Sequence, residues 1–562
     1  MSHVIGIDFG TLSARAVIAS IEDGTVVSDA VADYPHGVMA QRLDVADGRD
    51  LPPDFALQEP ADYLDALRRS VRGALAGSDV DPQDIVGIGL DATSASVLVT
   101  DSRGTPLCET PGFRTNPHAY LKLWKHHGGS RQAERIVAAA RERREGWLER
   151  YGGTLSAEML LPKALETLEE APEVYRAASE IVDAADWLTW QLTGHLVYAA
   201  GDSGYKRMYQ DGRYPSREFL ESVNREFGGV FEDKMRHPVV PLGSRVGGLT
   251  ATWARTLGLR PGTPVAAGNI DAHVHAAAVD AVRPGQLTGV LGTSVCWIVQ
   301  AERLRSVPGI FGVVDGGVAE GLWAYEGGQS SVGDTFQWFI DRSLPESYRA
   351  EARRRGISEF QLLGERASRQ GIGENGLLAL DWFNGNRSIL VDAELTGMIV
   401  GQTLQTRPED QYRALMEACV FGARVIIENF ESHGVPVDEI RAAGGLLKEP
   451  FLMQMYADIT RRPISVATVA QAGALGSAIF AAVAAGAYPT VVAAADAMGG
   501  VRERAYVPRE EASRRYDRLW ELYRHLYFLM GREDDVMHRL KGIQREALSE
   551  SQAQAAPART ER

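Results

Sequence analysis

The chain has 562 residues, enough for at least two domains with separate cores. An apolar content of 45% and a charged content of 24% are those of an ordinary globular protein, and a formal charge of −15 excludes a general nucleic-acid binder, which needs a basic face. Cys108, Cys296 and Cys419 lie far apart without a CxxC pair, so no disulfide or zinc framework is expected, and the pattern fits a reduced, cytoplasmic protein.

The first residues run into a strand pattern without a basic-then-apolar leader, as expected of a protein that stays in the cytoplasm. That strand (Val4, Ile5, Ile7) leads to Asp8 and a tight turn, Gly10-Thr11-Leu12-Ser13, from which a second apolar strand (Ala16-Val17-Ile18) returns. Gly10 lets the backbone approach a polyanion. Turn N–H groups with the Thr11 and Ser13 hydroxyls can hold phosphate oxygens, and Asp8 can hold Mg2+ directly or through water. An ordinary hairpin with a polar turn has the same pattern. Pro60 then opens a helix with Leu64, Leu67, Val71 and Leu75 on one face. Ile85 to Leu90 predicts a buried strand ending at Asp91-Ala92-Thr93-Ser94. Residues 131–150 predict a charged surface helix, and Ala184 to Thr193 another, stopped by Gly194.

A boundary is expected near Pro241-Leu242-Gly243-Ser244, giving domains over 1–243 and 244–548 and a flexible tail over 549–562. Beyond it the plan restarts with Pro264 to Asn269. Leu287 to Val299 then repeats strand, Gly292-Thr293-Ser294 turn and strand, with Leu291 near where the first copy carries its acid. A long helix is predicted from about Glu409 to Glu431, then a strand-turn at Ile440 to Gly445 and a helix from Pro450. Ala472 to Tyr488 is too short and too mildly apolar to span a membrane; its small residues suit a helix packed closely inside the protein. Strands alternate with helices in both halves, which indicates α/β domains. Two related turns, one with a carboxylate, suggest a duplicated domain closing on one nucleotide.

A third glycine patch, Ala443-Gly444-Gly445-Leu446-Leu447-Lys448, could admit a flat adenine against bare backbone. Each patch is weak alone; the three in this order are strong. Asp271-Ala272-His273-Val274-His275 reads as DxHxH, and two histidines two apart on a strand could share a metal. Such a site needs more histidines on later strands, whereas only His433, His525 and His538 follow, in helix-like segments. Both histidines are therefore read as packed or solvent-facing. Gly371 to Gly376 matches GxGxxG, but a helix pattern precedes it and a strand follows, the reverse of a dinucleotide fingerprint; no GxxxxGK[ST] occurs.

On these residues the chain resembles the FGGY carbohydrate kinases, from residue 4 to about residue 540. The family signature is Gly444-Gly445-Leu446-Leu447-Lys448 continuing to Gln454, Ala457-Asp458 and Arg462-Pro463. Asp91-Ala92-Thr93, Asn116-Pro117-His118-Ala119, Leu123-Trp124-Lys125, Gly268 to Val274, Tyr325 to Ser330 and Leu380 to Arg387 are similar to the members that phosphorylate L-ribulose. The chain departs from them at Ser94-Ala95-Ser96, where glycine is usual after the threonine, and around Lys206 in Gly204 to Met208. Lys163 keeps the lysine of a first family signature, but the tryptophan expected shortly after it is missing.

The resemblance implies two actin-like (ribonuclease-H-like) α/β domains with a catalytic cleft between them, and ATP with Mg2+. The γ-phosphate would pass to the 5-hydroxyl of an open-chain ketopentose. Asp271 would be the base, since the attacking hydroxyl must shed a proton; Asp271 could also cap a helix from Ala272. Nucleotide contacts would be Gly10, Thr11, Ser13, Gly292, Thr293, Ser294, Gly444, Gly445 and Lys448, with Asp8 as the metal-side acid. Ser94, Trp124, Lys206, Asp271 and Glu326 would surround the sugar. Partners would be the sugar and ATP, with no nucleic acid and no membrane, and a homodimer is admitted. A sister kinase acting on D-ribulose, xylulose or a pentitol is the nearest alternative. A nucleotide-dependent switch or chaperone on the same fold is a second, against which Asp271 with Trp124, Lys206 and Glu326 argues.

Overall fold

The computed structural model describes residues 2–555, with side chains to residue 548. Among the described residues, two seven-stranded sheets organise the chain. In the first, His3–Phe9, Ser13–Ser20 and Val26–Asp33 form an antiparallel meander, and His3–Phe9 pairs on its other side with the parallel strand Ile85–Ala92. Pro264–Ala266 and Asn269–Ile270 lie parallel to Ile85–Ala92, and Arg245–Gly248 closes that edge. In the second, Gly285–Leu291, Val295–Ala301 and Trp323–Gln329 repeat the meander, and Val437–Ala443 and Ile464–Ala467 continue in parallel. Gly312–Asp315 and Val501–Tyr506 add the two edges. The order three-two-one-four-five, with strand two antiparallel, thus occurs twice, and the helices Pro60–Ala76 and Pro408–Ser432 occupy equivalent crossovers. This is the duplicated actin-like plan.

Local chemistry explains the main elements. The inner strands are apolar almost throughout because both faces are covered. Pro60 stands in the first turn of its helix, Leu67 and Val71 are fully buried, and Gly194 ends Ala184–Thr193 at a φ of 76°. The charged helix expected over 131–150 is shorter: Ser130–Arg143 stops where Arg144 turns left-handed, and a 3-10 segment, Gly146–Tyr151, follows.

The first sheet reaches past the expected boundary at 243. Residues 245–270 supply three of its strands, because the pairing of Val265 with Ile88 and of Asn269 with Asp91 draws them onto the Ile85–Ala92 edge. The second sheet begins at Gly285. Helix Val536–Ala555 runs into the segment read as a tail, whose last residues, 556–562, lie outside the described ones.

The Ala/Gly-rich helix Ala472–Ala484 comes from the second half of the chain but lies on the first sheet. The sheet face beneath it has lost its side chains. A Cβ on Gly6 would stand 1.8 Å from the Ala474 carbonyl oxygen, and one on Gly89 2.1 Å from that of Ser477. Only glycine allows backbone to approach backbone so closely. Among the described residues no helix is long and apolar enough to cross a membrane.

Candidate active site

The ends of His3–Phe9 and Ile85–Ala92 meet the start of helix Asp271–Ala278 at one rim of the first sheet. Strand register sets Asp8 beside Asp91 and Asp91 beside Asn269. Two residues on, Asp271 opens the helix, its Oδ1 accepting from the Ala272 N–H at 2.7 Å. The helix thus starts at Asp271 itself, one residue before the expected start, and Ile270, not Asp271, stands in the capping position. Asp91 is fully buried: Oδ2 accepts from the Ser477 hydroxyl at 2.5 Å and Oδ1 has no partner. Burial, then the charge of Asp8, holds its carboxyl well above the usual range. Asp8 is met by Arg15 Nη1 at 3.4 Å. Asp271 is pushed up to about 7 by burial and by Asp8, against the Ala272 N–H and Lys206. His275 Nδ1 donates to the Asp271 carbonyl at 2.8 Å, and burial holds this ring below the ordinary histidine range.

A second cluster joins the two halves of the chain. Lys206 ends the short helix Ala200–Lys206, and its Nζ lies 3.6 Å from Glu326 Oε2 on strand Trp323–Gln329. His273 Nε2 donates to the same oxygen at 3.1 Å, so this ring is buried in an ion-pair cluster rather than in plain packing. Arg387 Nη2 lies 3.5 Å from Glu326 Oε1 and 3.6 Å from Glu158 Oε2. The Lys206 ammonium and the Arg387 guanidinium both stand over the Phe311 ring, at 4.0 and 4.2 Å. Against the cost of burial, Lys206, His273 and Arg387 keep Glu326 well below the ordinary carboxyl range. His273, Cys296 and Glu326 offer donor atoms within 4.8 Å of one another. Lys206 and Arg387 already supply the positive charge a metal would bring there.

The two glycine turns are closed alike, first N–H to last carbonyl, but over four residues in the first and three in the second. Gly10 N–H donates to Ser13 O at 3.0 Å, and Gly292 N–H to Ser294 O at 3.1 Å. Thr11 Oγ1 accepts from Trp124 Nε1 at 3.1 Å, which leaves its own proton free to donate and ties the first turn to the expected sugar wall. Ser13 is buried, whereas the Ser94 hydroxyl oxygen is buried without a partner, as an atom awaiting a ligand would be. Thr293 O accepts from the Val332 N–H at 2.8 Å. Gly444 has a φ of 108°, and a Cβ there would stand 2.4 Å from the Leu291 carbonyl oxygen, so the third patch abuts the second turn. Gly445 faces open space, and Lys448 is exposed on the short helix Gly445–Lys448.

The structure thus gathers Asp8, Asp271, Lys206 and Glu326 with Thr11 and Trp124, and it sets Gly292 against Gly444. It adds Asp91, His273, Phe311 and Arg387, to which the sequence assigned no role. A signal existed for Arg387 and His273: Glu326, between a tyrosine and two glycines, could be buried only if cations came to meet it. Asp8, with one long contact, and Asp91, with an orphaned buried oxygen, form a hard oxygen pair that suits a divalent cation.

The N-terminal domain of the FGGY family of carbohydrate kinases matches residues 3–278, and the C-terminal domain of that family matches residues 287–485. The chain belongs to this family. The kinase is 49% identical to a ribulokinase of Mycolicibacterium smegmatis over 539 residues, 96% of each chain. It is 44% identical to a ribulokinase of Bacillus licheniformis over 538 residues, 95% of this chain and 97% of the other. Among solved structures, a ligand-bound xylulose kinase from Lactobacillus acidophilus superposes with a TM-score of 0.77 at 18% identity, covering 95% of this chain and 99% of that one. Plasmodium falciparum glycerol kinase with ADP gives 0.72 at 15% identity, covering 93% and 97%. At such identities the structural matches establish the fold alone. As a carbohydrate kinase the protein takes a sugar and ATP.

Proposed function

We propose that the kinase moves the γ-phosphate of Mg-ATP to the 5-hydroxyl of L-ribulose, giving L-ribulose 5-phosphate and ADP. The carrying observation is identity of 44 to 49% with several ribulokinases, sustained over 95 to 96% of the chain.

In this reading the hydroxyl oxygen bonds to the γ-phosphorus while the bond to the β,γ-bridging oxygen breaks, and the hydroxyl proton passes to an Asp271 carboxylate oxygen. A carboxylate raised to about 7 accepts that proton more readily than a solvated aspartate while remaining largely ionised above neutrality. Lys206 and Glu326 orient sugar hydroxyls, Ser94 supplies an unspent hydroxyl, and Trp124 walls the pocket. Gly10 and Gly292, whose N–H groups close the turns, keep the backbone bare for close approach, while the N–H groups and hydroxyls of Thr11, Ser13, Thr293 and Ser294 face the phosphates. Adenine rests on Gly444 and Gly445, with Lys448 at the rim. Asp8, with Asp91 beside it, would hold Mg2+, which supplies neutralisation of phosphate charge. Closure of the halves expels water, so that hydrolysis does not compete with transfer.

An ADP-release assay over L-ribulose, D-ribulose, xylulose and the pentitols tests the substrate. L-ribulose gives the highest kcat/KM, by about tenfold or more over xylulose. A preference for xylulose or a pentitol overturns the assignment.

A further inference from the structure

Two lysines lie side by side in the interior of the first half, and they are used differently. Lys122 has a carboxylate: its Nζ donates to Glu166 Oε2 and to Thr167 Oγ1, each at 2.7 Å. Lys163, on helix Leu160–Glu170, is completely buried and, among the described residues, pairs with no acid. Its ammonium donates to main-chain carbonyls instead: Ala95 O and Leu123 O at 2.7 Å, and Trp124 O at 3.5 Å. Three N–H donors meet three acceptors, which is the full capacity of the group. A buried cation is expensive, so a lysine spent on backbone carbonyls marks a place where the position of those carbonyls matters.

The carbonyls belong to two loops far apart in sequence. One follows strand Ile85–Ala92 and carries Ser94; the other follows Leu121–Lys122 and carries Trp124. The first is strained: Ala95 has a φ of 51°, a left-handed conformation that alanine adopts only when its surroundings impose it. The second reaches the phosphate turn through the Trp124 indole on Thr11. We propose that Lys163 is a positioning residue for the sugar: it ties the Ser94–Ala95 loop to the Leu123–Trp124 loop and thereby sets the wall against which the ketopentose binds. The proposal rests on the reading of Ser94 and Trp124 as sugar contacts.

The electrostatic setting supports it. Burial draws Lys163 down to about 7; Glu158, Asp183 and Glu166 oppose that fall and Lys122 adds to it. His126, held by Glu166 at 3.0 Å, faces the same interior. Above neutrality the amine keeps two hydrogens for three carbonyls, and the tie slackens. The KM for sugar should therefore rise on the alkaline side while that for ATP changes little, since the tie reaches the nucleotide turns only indirectly, through the Trp124 indole on Thr11.

The test measures KM for L-ribulose and for ATP from about pH 6 to about pH 9 in the wild type, Lys163→Met and Trp124→Leu. The expected result for Lys163→Met is a sugar KM raised about tenfold at the acid end, an ATP KM within about twofold, and no further alkaline rise. An unchanged sugar KM, an equal rise in both constants, or a persisting wild-type alkaline rise overturns the proposal. If Lys163→Met does not fold, the wild type decides: a sugar KM flat across the range is contrary to the tie. Trp124→Leu separates the two readings, because an unchanged sugar KM in that variant removes the sugar-wall assignment whatever Lys163 does.

Discussion

Asp271 owes its chemistry to what surrounds it. A carboxyl with an ordinary value of 3.8 is raised to about 7 because burial and Asp8 penalise its charge more than the Ala272 N–H and Lys206 favour it. The protonated form cannot accept the proton of the attacking hydroxyl. The kcat/KM for sugar should therefore fall about tenfold for each unit below pH 7, while above it only the rise in sugar KM ascribed to Lys163 changes it. In the proposed reading Asp8 would hold Mg2+, which would offset that acid's charge, so the acid limb of kcat should lie lower than that of kcat/KM. A pH series of both constants checks this; a kcat/KM that stays level down to about pH 5 would contradict a base tuned in this way. The Lys206–Glu326–Arg387 cluster follows the converse rule. There the cations Lys206 and Arg387 meet Glu326 in the interior and hold its carboxyl below the ordinary range.

At the scale of elements, the cleft depends on how closely helix Ala472–Ala484 lies on the first sheet. Ser477 of that helix holds Asp91, and a Cβ on Gly473 would stand 2.8 Å from Asp8 Oδ2. Gly89→Ala forces the helix off the sheet, since the added carbon would meet the Ser477 carbonyl at 2.1 Å. It should cost about 3 kcal/mol of stability, and the folded fraction should lose activity because Asp91 moves with Ser477. Gly112→Ala, where a Cβ meets nothing within 4 Å, should change neither. Denaturation midpoints and specific activity of the two variants provide the comparison. These elements also show what can be read from sequence. The two hairpins are local, so apolar runs on either side of a glycine and hydroxyl turn announce them. The Ala/Gly composition of residues 472–484 announces close packing but not its partner, which lies more than 380 positions away in the chain. For the same reason the strands at 245–270 read as the start of a second domain: their pairing with Ile85–Ala92 is long-range, and nothing in their composition records it. Asp91 and Arg387 stood in plain view inside unusual strings, yet a charge has no period, and only the folded chain shows what faces it.

The whole molecule is two copies of one plan that hold each other. The first half lends Lys206 to the cleft, the second lends Glu326 and Arg387, and helix Ala472–Ala484 crosses from one half to the sheet of the other. The glycine turns of both halves and the Lys206–Glu326 cluster are thereby carried on one interlocked frame. The account predicts that chemistry, rather than binding, depends on that one side chain. The direct test is single-turnover transfer from Mg-ATP to L-ribulose by Asp271→Asn beside the wild type, with both substrates' dissociation constants measured on the same samples. Transfer should slow by about a thousandfold or more while the dissociation constants stay within about threefold. Transfer at close to the wild-type rate would show that the proton leaves by another route and that Asp271 is not the base.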